Sequence, residues 1–310
     1  MPSTSPRVSV VMSVHDGQAY LREAIDSILM QTEKDLELII IDDASTDGTV
    51  EIIRSYVDPR IRFLQNEKQA GLAASVNRGI REARAPYIAR MDADDISQPD
   101  RLERQLAFLA THPEVSVVGS RATMVDEHGK HVRDYRVPLT HGGIRWRALF
   151  ANPLVHPSIM ARTDVLRANP YDESYPNSQD YALWSTLLFE KDIRFANLPE
   201  KLLHYRLHPG STTAKRDDAK KRISVTTSLA NIARELTLEA PEEVAYAHFR
   251  SNEHITWHDA RCVDQLINRL CQMFLQTEKL TLDERKEVQS LARANRISIV
   301  KHLLKQALRP

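Results

Sequence analysis

The chain has 310 residues, 42% of them apolar and 27% charged, a composition that buries a core and excludes fibrous and disordered classes. Lys plus Arg and Asp plus Glu each number 42, so no net field draws the protein onto nucleic acid or an anionic bilayer, which leaves only local patches. Cys262 and Cys271 fit neither a disulfide framework nor a C-x-x-C motif, residues Met1 to Pro6 lack the regions of a signal peptide, and no uncharged apolar run approaches the ~20 residues of a membrane span, so a cytoplasmic protein is expected.

Short β-branched runs at residues 7–14 and 36–41 read as buried parallel strands, and Leu21, Ala24, Ile25, Ile28 and Leu29 recur between them at helical spacing. The alternation continues with a helix over about 49–56, a strand at 61–64, a helix over 72–84 and a strand at 87–91. After Pro99 a helix through Leu102, Leu106 and Leu109 leads to a strand at 115–118, and Gly129 marks a turn between extended segments. The middle is punctuated by Pro138, Pro153, Pro157, Pro170 and Pro176, with a helix from Asp180 to about Glu190 and short strands near Ile193 and Leu203. From Ala214 onward Gly is absent and several packed helices are expected. The pattern predicts an α/β fold over 1–213, a Rossmann-like, mostly parallel sheet flanked by helices, with a helical C-terminal appendage over 214–310.

In open α/β sheets ligands bind beyond the carboxyl ends of the strands, and acidic residues gather at two such ends here. Asp42-Asp43-Ala44-Ser45-Thr46-Asp47 follows the second strand and offers carboxylates to a base or ribose; Ser45 or Asp47 capping the next helix is the structural alternative. Asp92-Ala93-Asp94-Asp95 follows the fourth strand, and carboxylates this close repel unless a cation compensates. A divalent metal on Asp92 and Asp94, itself holding a diphosphate, is the functional reading; an acidic surface loop with Asp95 capping a turn is the other. Neither G-x-G-x-x-G nor G-x-x-x-x-G-K-[ST] occurs, so the common dinucleotide and P-loop cradles are excluded and a nucleotide-sugar site is favoured. His254 and His258, at i,i+4, lack a carboxylate to complete a metal site.

Eight segments in order then resemble the family 2 glycosyltransferases of the GT-A fold: Val8 to Asp16, Leu21 to Thr32, Glu37 to Thr49, Gly71 to Ile80, Asp92 to Leu102, Asn152 to Ser158, Gln179 to Trp184 and Tyr205 to Ser211. The resemblance spans roughly the first two-thirds of the chain. It implies that Asp43 reads the donor base with Ser13 and Asp16 in the same pocket. Asp92 and Asp94 match the D-x-D motif, which binds Mg²⁺ or Mn²⁺ and the donor diphosphate, Asp92 also contributing to the nucleotide site. Asp180 matches the catalytic base of inverting members, and Arg206, His208 and Ser211 look like the R-x-H-x-x-S segment that closes over the diphosphate. The sequence departs from common members at Ser13, His15-Asp16 and Gln179.

The function implied is a metal-dependent, hexosyltransferase-like enzyme. It moves a sugar from a nucleotide diphosphate sugar, UDP favoured, to the hydroxyl of a glycan or lipid-linked acceptor in cell-surface polysaccharide or glycoconjugate synthesis. A catalytically silent nucleotide-sugar-binding or scaffolding subunit is the alternative, disfavoured by the joint presence of Asp92, Asp94 and Asp180. Asp180 as a helix cap, Arg206 as a surface cation and His208 as a turn residue are the structural alternatives at those positions. His156 is a weaker candidate for acceptor contacts. Lys301, Lys305 and Arg309 with Ile299, Leu303 and Leu304 form a basic amphipathic end, which leaves open a peripheral contact with the inner face of the membrane or homo-oligomer formation, beside ordinary packing.

Overall fold

The computed structural model describes residues 5–211, 218–236, 240–250, 254–277 and 279–307. The chain divides into two compact units that interleave in sequence: residues 1–137, 154–183 and 193–216 in the first, and 138–153, 184–192 and 217–310 in the second. The expected boundary between residues 213 and 214, and Arg309, lie outside the described residues.

The first unit opens with β1 (Val8–Val14), α1 (Leu21–Leu29), β2 (Leu36–Asp42), α2 (Thr49–Arg54), β3 (Ile61–Gln65), α3 (Leu72–Glu82) and β4 (Tyr87–Asp92). β1 and β2 are buried along their whole length, as strands covered on both faces must be. The connecting helices leave β3, β2, β1 and β4 side by side and parallel. The sheet continues through β5 (Ile96–Ser97), α4 (Arg101–Thr111), β6 (Val115–Val125) and β7 (His131–Tyr135), then, after the segment belonging to the second unit, β8 (Met160–Arg162) and β9 (Arg194–Arg206). Its order is β3-β2-β1-β4-β8-β6-β9-β5, with β7 paired to β6. β8 is antiparallel to β4 and β6, whereas β9 runs parallel to β6.

Leu21, Ala24, Ile25 and Ile28 of α1 and Leu102, Leu106 and Leu109 of α4 cover one face of the sheet, over Val10, Met12, Leu38 and Ile40. α3 lies on the other face at Gly79, where a Cβ would come within 2.5 Å of Val11 Cγ1 and 2.8 Å of Ile41 Cδ1. Two short strands were expected near Ile193 and Leu203; instead β9 is a single 13-residue strand, because Pro199 lies where its register with β6 shifts and need not break it. β6 extends to Val125 and turns back into β7 at Gly129, whose φ of 80° is easiest for glycine.

The second unit is helical. It contains α5 (His141–Ala148), the later part of α7 (Gln179–Phe189), α8 (Asp218–Glu235), α9 (Ala240–Arg250), α10 (Trp257–Thr277) and α11 (Leu282–Ala307), while α6 (Thr163–Ala168) belongs to the first. Its core gathers Trp146, Phe150, Ile232, Tyr246, Val263, Leu266, Ile267, Leu270, Phe274 and Val288. The pairing expected of His254 and His258 on one helix does not form: Thr256 and Asp259 cap α10 reciprocally, at 2.8 and 3.1 Å, so His254 precedes it.

Candidate active site

The carboxyl ends of β1, β2 and β4 define the site, and the strand registers set its spacing. Ser13, nearly buried, lies opposite Ile41 on one side and Asp92 on the other. Beyond β1 the chain turns through Asp16, at φ 49°. Asp16 Oδ1 accepts from the Thr46 amide at 2.7 Å, and the Asp16 amide donates to Ser45 Oγ at 2.9 Å. Two loops from two strand ends are thereby tied together. Asp47 takes the amide and hydroxyl of Thr49 at 3.0 and 2.5 Å, but the N-cap of α2 is Gly48, with no side-chain cap bond, so neither Ser45 nor Asp47 is the cap expected as the alternative.

Asp43 is buried and accepts from Asn66 Nδ2 at 2.7 Å and from the Ala70 and Gly71 amides at 2.8 Å each. Burial disfavours its charge, but these bonds and one from Ser75 outweigh it and hold the carboxyl below the usual carboxylate range. An ionised Asp43 thus fixes the loop before α3. Gly71 sits at φ 91°, a conformation that costs glycine little.

At the end of β4, oxygens of Asp92, Asp94 and Asp95 lie within 4.8 Å of one another. Asp95 is buried rather than on the surface, which sets aside the surface-loop alternative for it. Burial raises the Asp95 carboxyl well above its ordinary range, and Asp94 and Asp92 add to the rise against the Arg206 amide. Asp94 is raised by burial and by Asp92, while His208 opposes the rise. Two buried guanidinium groups answer this charge. Arg90 pairs with Asp92 at 2.5 Å and donates to the Met91 carbonyl. Arg101 donates to the Arg90 carbonyl at 2.6 Å, and burial pushes its pKa down to about 9.

The donor set suits a hard divalent cation: three clustered carboxylates, one of whose buried oxygens, Asp95 Oδ2, has no hydrogen-bond partner among the described residues. His208 Nε2 stands 2.9 Å from Asp94 Oδ2, and its ring lies against Tyr20. Arg206 is 3% exposed. Its amide donates to Asp95 Oδ1 at 2.8 Å, and its guanidinium donates to the Asp94 and Glu127 carbonyls at 2.9 and 3.0 Å and to Glu23 at 2.5 Å. In this conformation Arg206 braces the acidic loop and is no surface cation. Ser211 is buried, and its amide donates to the His208 carbonyl at 3.0 Å.

Asp180 lies in the first turn of α7, and its Oδ1 accepts from the Tyr181 amide at 2.8 Å. It shares an electrostatic neighbourhood with Arg90 and Asp92 across two side chains, His156 and Tyr171, whose ring nitrogen and hydroxyl are 2.8 Å apart. Dense packing pushes the His156 pKa down to about 4, the Arg90 charge adding to the shift and Asp180 and Asp92 opposing it. Burial raises the Tyr171 hydroxyl, so this pair is neutral. Asn77 of α3 holds Tyr171 in place through both backbone groups, at 2.9 and 2.8 Å.

Of the residues singled out from sequence, Ser13, Asp92, Asp94, Arg206 and His208 gather at the ends of β1 and β4. Asp16 and Asp43 fasten the loops beside them. Arg90, Asn66 and Tyr171 were missed. Arg90 had a signal, a cation inside an otherwise apolar strand; Tyr171 stands in a proline-flanked loop and had none.

Residues 9–167 match the model of Glycosyl transferase family 2. EpsE of Bacillus subtilis (strain 168), named as a glycosyltransferase, is 38% identical over 237 residues, 74% of this chain and 80% of that protein. The O-antigen biosynthesis glycosyltransferase WbnJ of Escherichia coli is 36% identical over 66% of this chain and 81% of its own length. Among solved structures, S. aureus TarS 1-349 in complex with UDP-GlcNAc superposes with a TM-score of 0.62 at 16% identity, covering 97% of this chain and 91% of that one. The mannosyltransferase PcManGT of Pyrobaculum calidifontis, in complex with GDP-Man and Mn²⁺, gives 0.57 at 17% identity, over 98% and 88%. Those two likenesses establish the GT-A fold, and the matched domain and the sequence relatives place this chain in glycosyltransferase family 2.

Proposed function

We propose that the protein transfers a sugar from a nucleotide diphosphate sugar, a UDP-sugar first among the options, to an acceptor hydroxyl with inversion at the anomeric carbon. The observation that carries this reading is the convergence of Asp92 and Asp94 beside Ser13, with Asp180 reached across the His156–Tyr171 pair. Asp43, Ser13 and Asp16 would surround the nucleotide. Asp92 and Asp94 would hold Mg²⁺ or Mn²⁺, which when bound neutralises charge growing on the departing diphosphate. Arg206 and His208, already at the acidic loop, and Ser211 would close over that diphosphate. Asp180 would accept the proton of the acceptor hydroxyl as its oxygen bonds to the anomeric carbon and the bond from that carbon to the diphosphate oxygen breaks.

UDP is supported by the UDP-GlcNAc complex of TarS, and GDP by that of PcManGT. A glycan or lipid-linked acceptor in polysaccharide synthesis is supported by relatives named for O-antigen and amylovoran biosynthesis. The test needs no acceptor: slow hydrolysis of an α-linked nucleotide sugar is followed by proton NMR before the product mutarotates. Release of the β-sugar is expected, with Asp180→Asn keeping nucleotide affinity but losing on the order of 10²–10⁴ in rate. Release of the α-sugar overturns the inverting mechanism, and full activity of Asp180→Asn overturns Asp180 as its base.

A further inference from the structure

The second unit has an exposed face that the proposed chemistry does not use. From Val288 to Ala307, α11 contains Arg293, Arg296, Lys301 and Lys305 and no carboxylate. Val288, Ala292, Ile299 and Leu303 form its buried stripe. The basic amphipathic end expected from sequence counted Ile299 and Leu303 among its apolar residues, but both belong to the core. The outer ridge keeps Leu304 of that set and joins it to Ile297 and Val300 at i, i+3 and i+7, the three exposed by 48%, 53% and 55% in the order Ile297, Val300, Leu304. Lys301 and Lys305 flank that ridge, with Arg293 one turn before it, all exposed. Arg296 is engaged by Asp264 of α10 at 2.6 Å. At the same end, the Ile255 amide meets Gln306 Oε1 at 3.4 Å, which sets the start of α10 alongside the end of α11. There Trp257, the first residue of α10, is 77% exposed.

We propose that this face of α11, with Trp257 at its edge, seats on the surface of an anionic phospholipid bilayer. Aliphatic side chains beside cations that take no ion pair among the described residues suit the boundary between acyl chains and anionic headgroups, and tryptophan favours that depth. Charge argues against a second copy in the same place, because a two-fold contact would set Lys301 and Lys305 close to their own counterparts. The contact would be peripheral: among the described residues no helix is long and apolar enough to cross a membrane.

The test floats the purified full-length chain with vesicles of phosphatidylcholine alone or of equal parts phosphatidylcholine and phosphatidylglycerol, at low and high salt. Two variants accompany it, Lys301→Glu/Lys305→Glu and Ile297→Ser/Val300→Ser/Leu304→Ser. Flotation with anionic vesicles only is expected, reduced by salt, at least about tenfold weaker in the charge variant and lost in the serine variant. Both variants should keep the wild-type circular dichroism, melting temperature and nucleotide affinity. Three results would overturn the proposal. They are no flotation of the wild type, equal flotation with both vesicles, or binding that survives in both folded variants. A dimer seen by light scattering that the serine variant abolishes, with no vesicle binding, assigns the face to a second copy instead.

Discussion

Arg90 shows how much of the site rests on residues away from the expected motif. Its guanidinium lies almost wholly out of water at the end of a buried strand, beside Asp92, and its charge reaches His156 and Tyr171. A buried cation persists only when charges meet it, and the acidic loop supplies them. His156 has a measurable consequence. Above the ordinary imidazole value of ~6.5 the ring is neutral folded and unfolded, and stability is complete. As pH falls from there toward about 4, the unfolded chain takes up a proton that the native ring refuses, and stability is lost across that window. The melting temperature of the wild type should therefore fall further between pH ~7 and ~4 than that of His156→Gln. Parallel curves would contradict the neutral imidazole. From the chain alone His156 could be noticed but not placed, since its environment comes from Tyr171 and Arg90, distant in sequence and brought near by β4 and the loop before α7. Asp92 and Asp94 were legible because mutual repulsion among adjacent carboxylates is a local fact.

The elements of the first unit followed from periodicity where both faces of the sheet are covered. β1 to β4 and α1 to α4 all lie close to where apolar spacing puts them. α5 was not anticipated: the stretch between Pro138 and Pro153 carried no expected helix. Its start is instead set by α11, whose Glu287 accepts from the Leu139 and Thr140 amides at 2.9 Å and from the Thr140 hydroxyl at 2.6 Å. Glu284 takes the Gly142 amide at 3.2 Å. The glycines are needed for that approach, as a Cβ on Gly143 would stand 2.2 Å from Glu287 Oε2. A carboxylate at a helix N-terminus meets both free amides and the helix dipole. Glu287→Ala should cost about 2–3 kcal/mol in urea unfolding, and Glu287→Gln less. A loss below ~0.5 kcal/mol would show that water replaces the carboxylate without penalty.

At the scale of the molecule, two units share one chain without sharing a boundary, and local composition did not reveal it. The segments 138–153 and 184–192 belong to the helical unit through long-range contacts such as Asn231 with the Ala148 carbonyl and Ser185, both at 2.8 Å. The proposed chemistry lies in the first unit, where every residue assigned to donor, metal and base is found. Its central claim is a metal-dependent nucleotide site at Asp92 and Asp94. The most direct measurement is isothermal calorimetry of the wild type and of Asp92→Ala/Asp94→Ala with UDP, dTDP and GDP, each with Mn²⁺ and with chelator. Binding of one nucleotide that requires Mn²⁺ and disappears in the folded double variant is the expected result. Absence of binding by the folded wild type under every condition, or binding indifferent to both metal and variant, would contradict it.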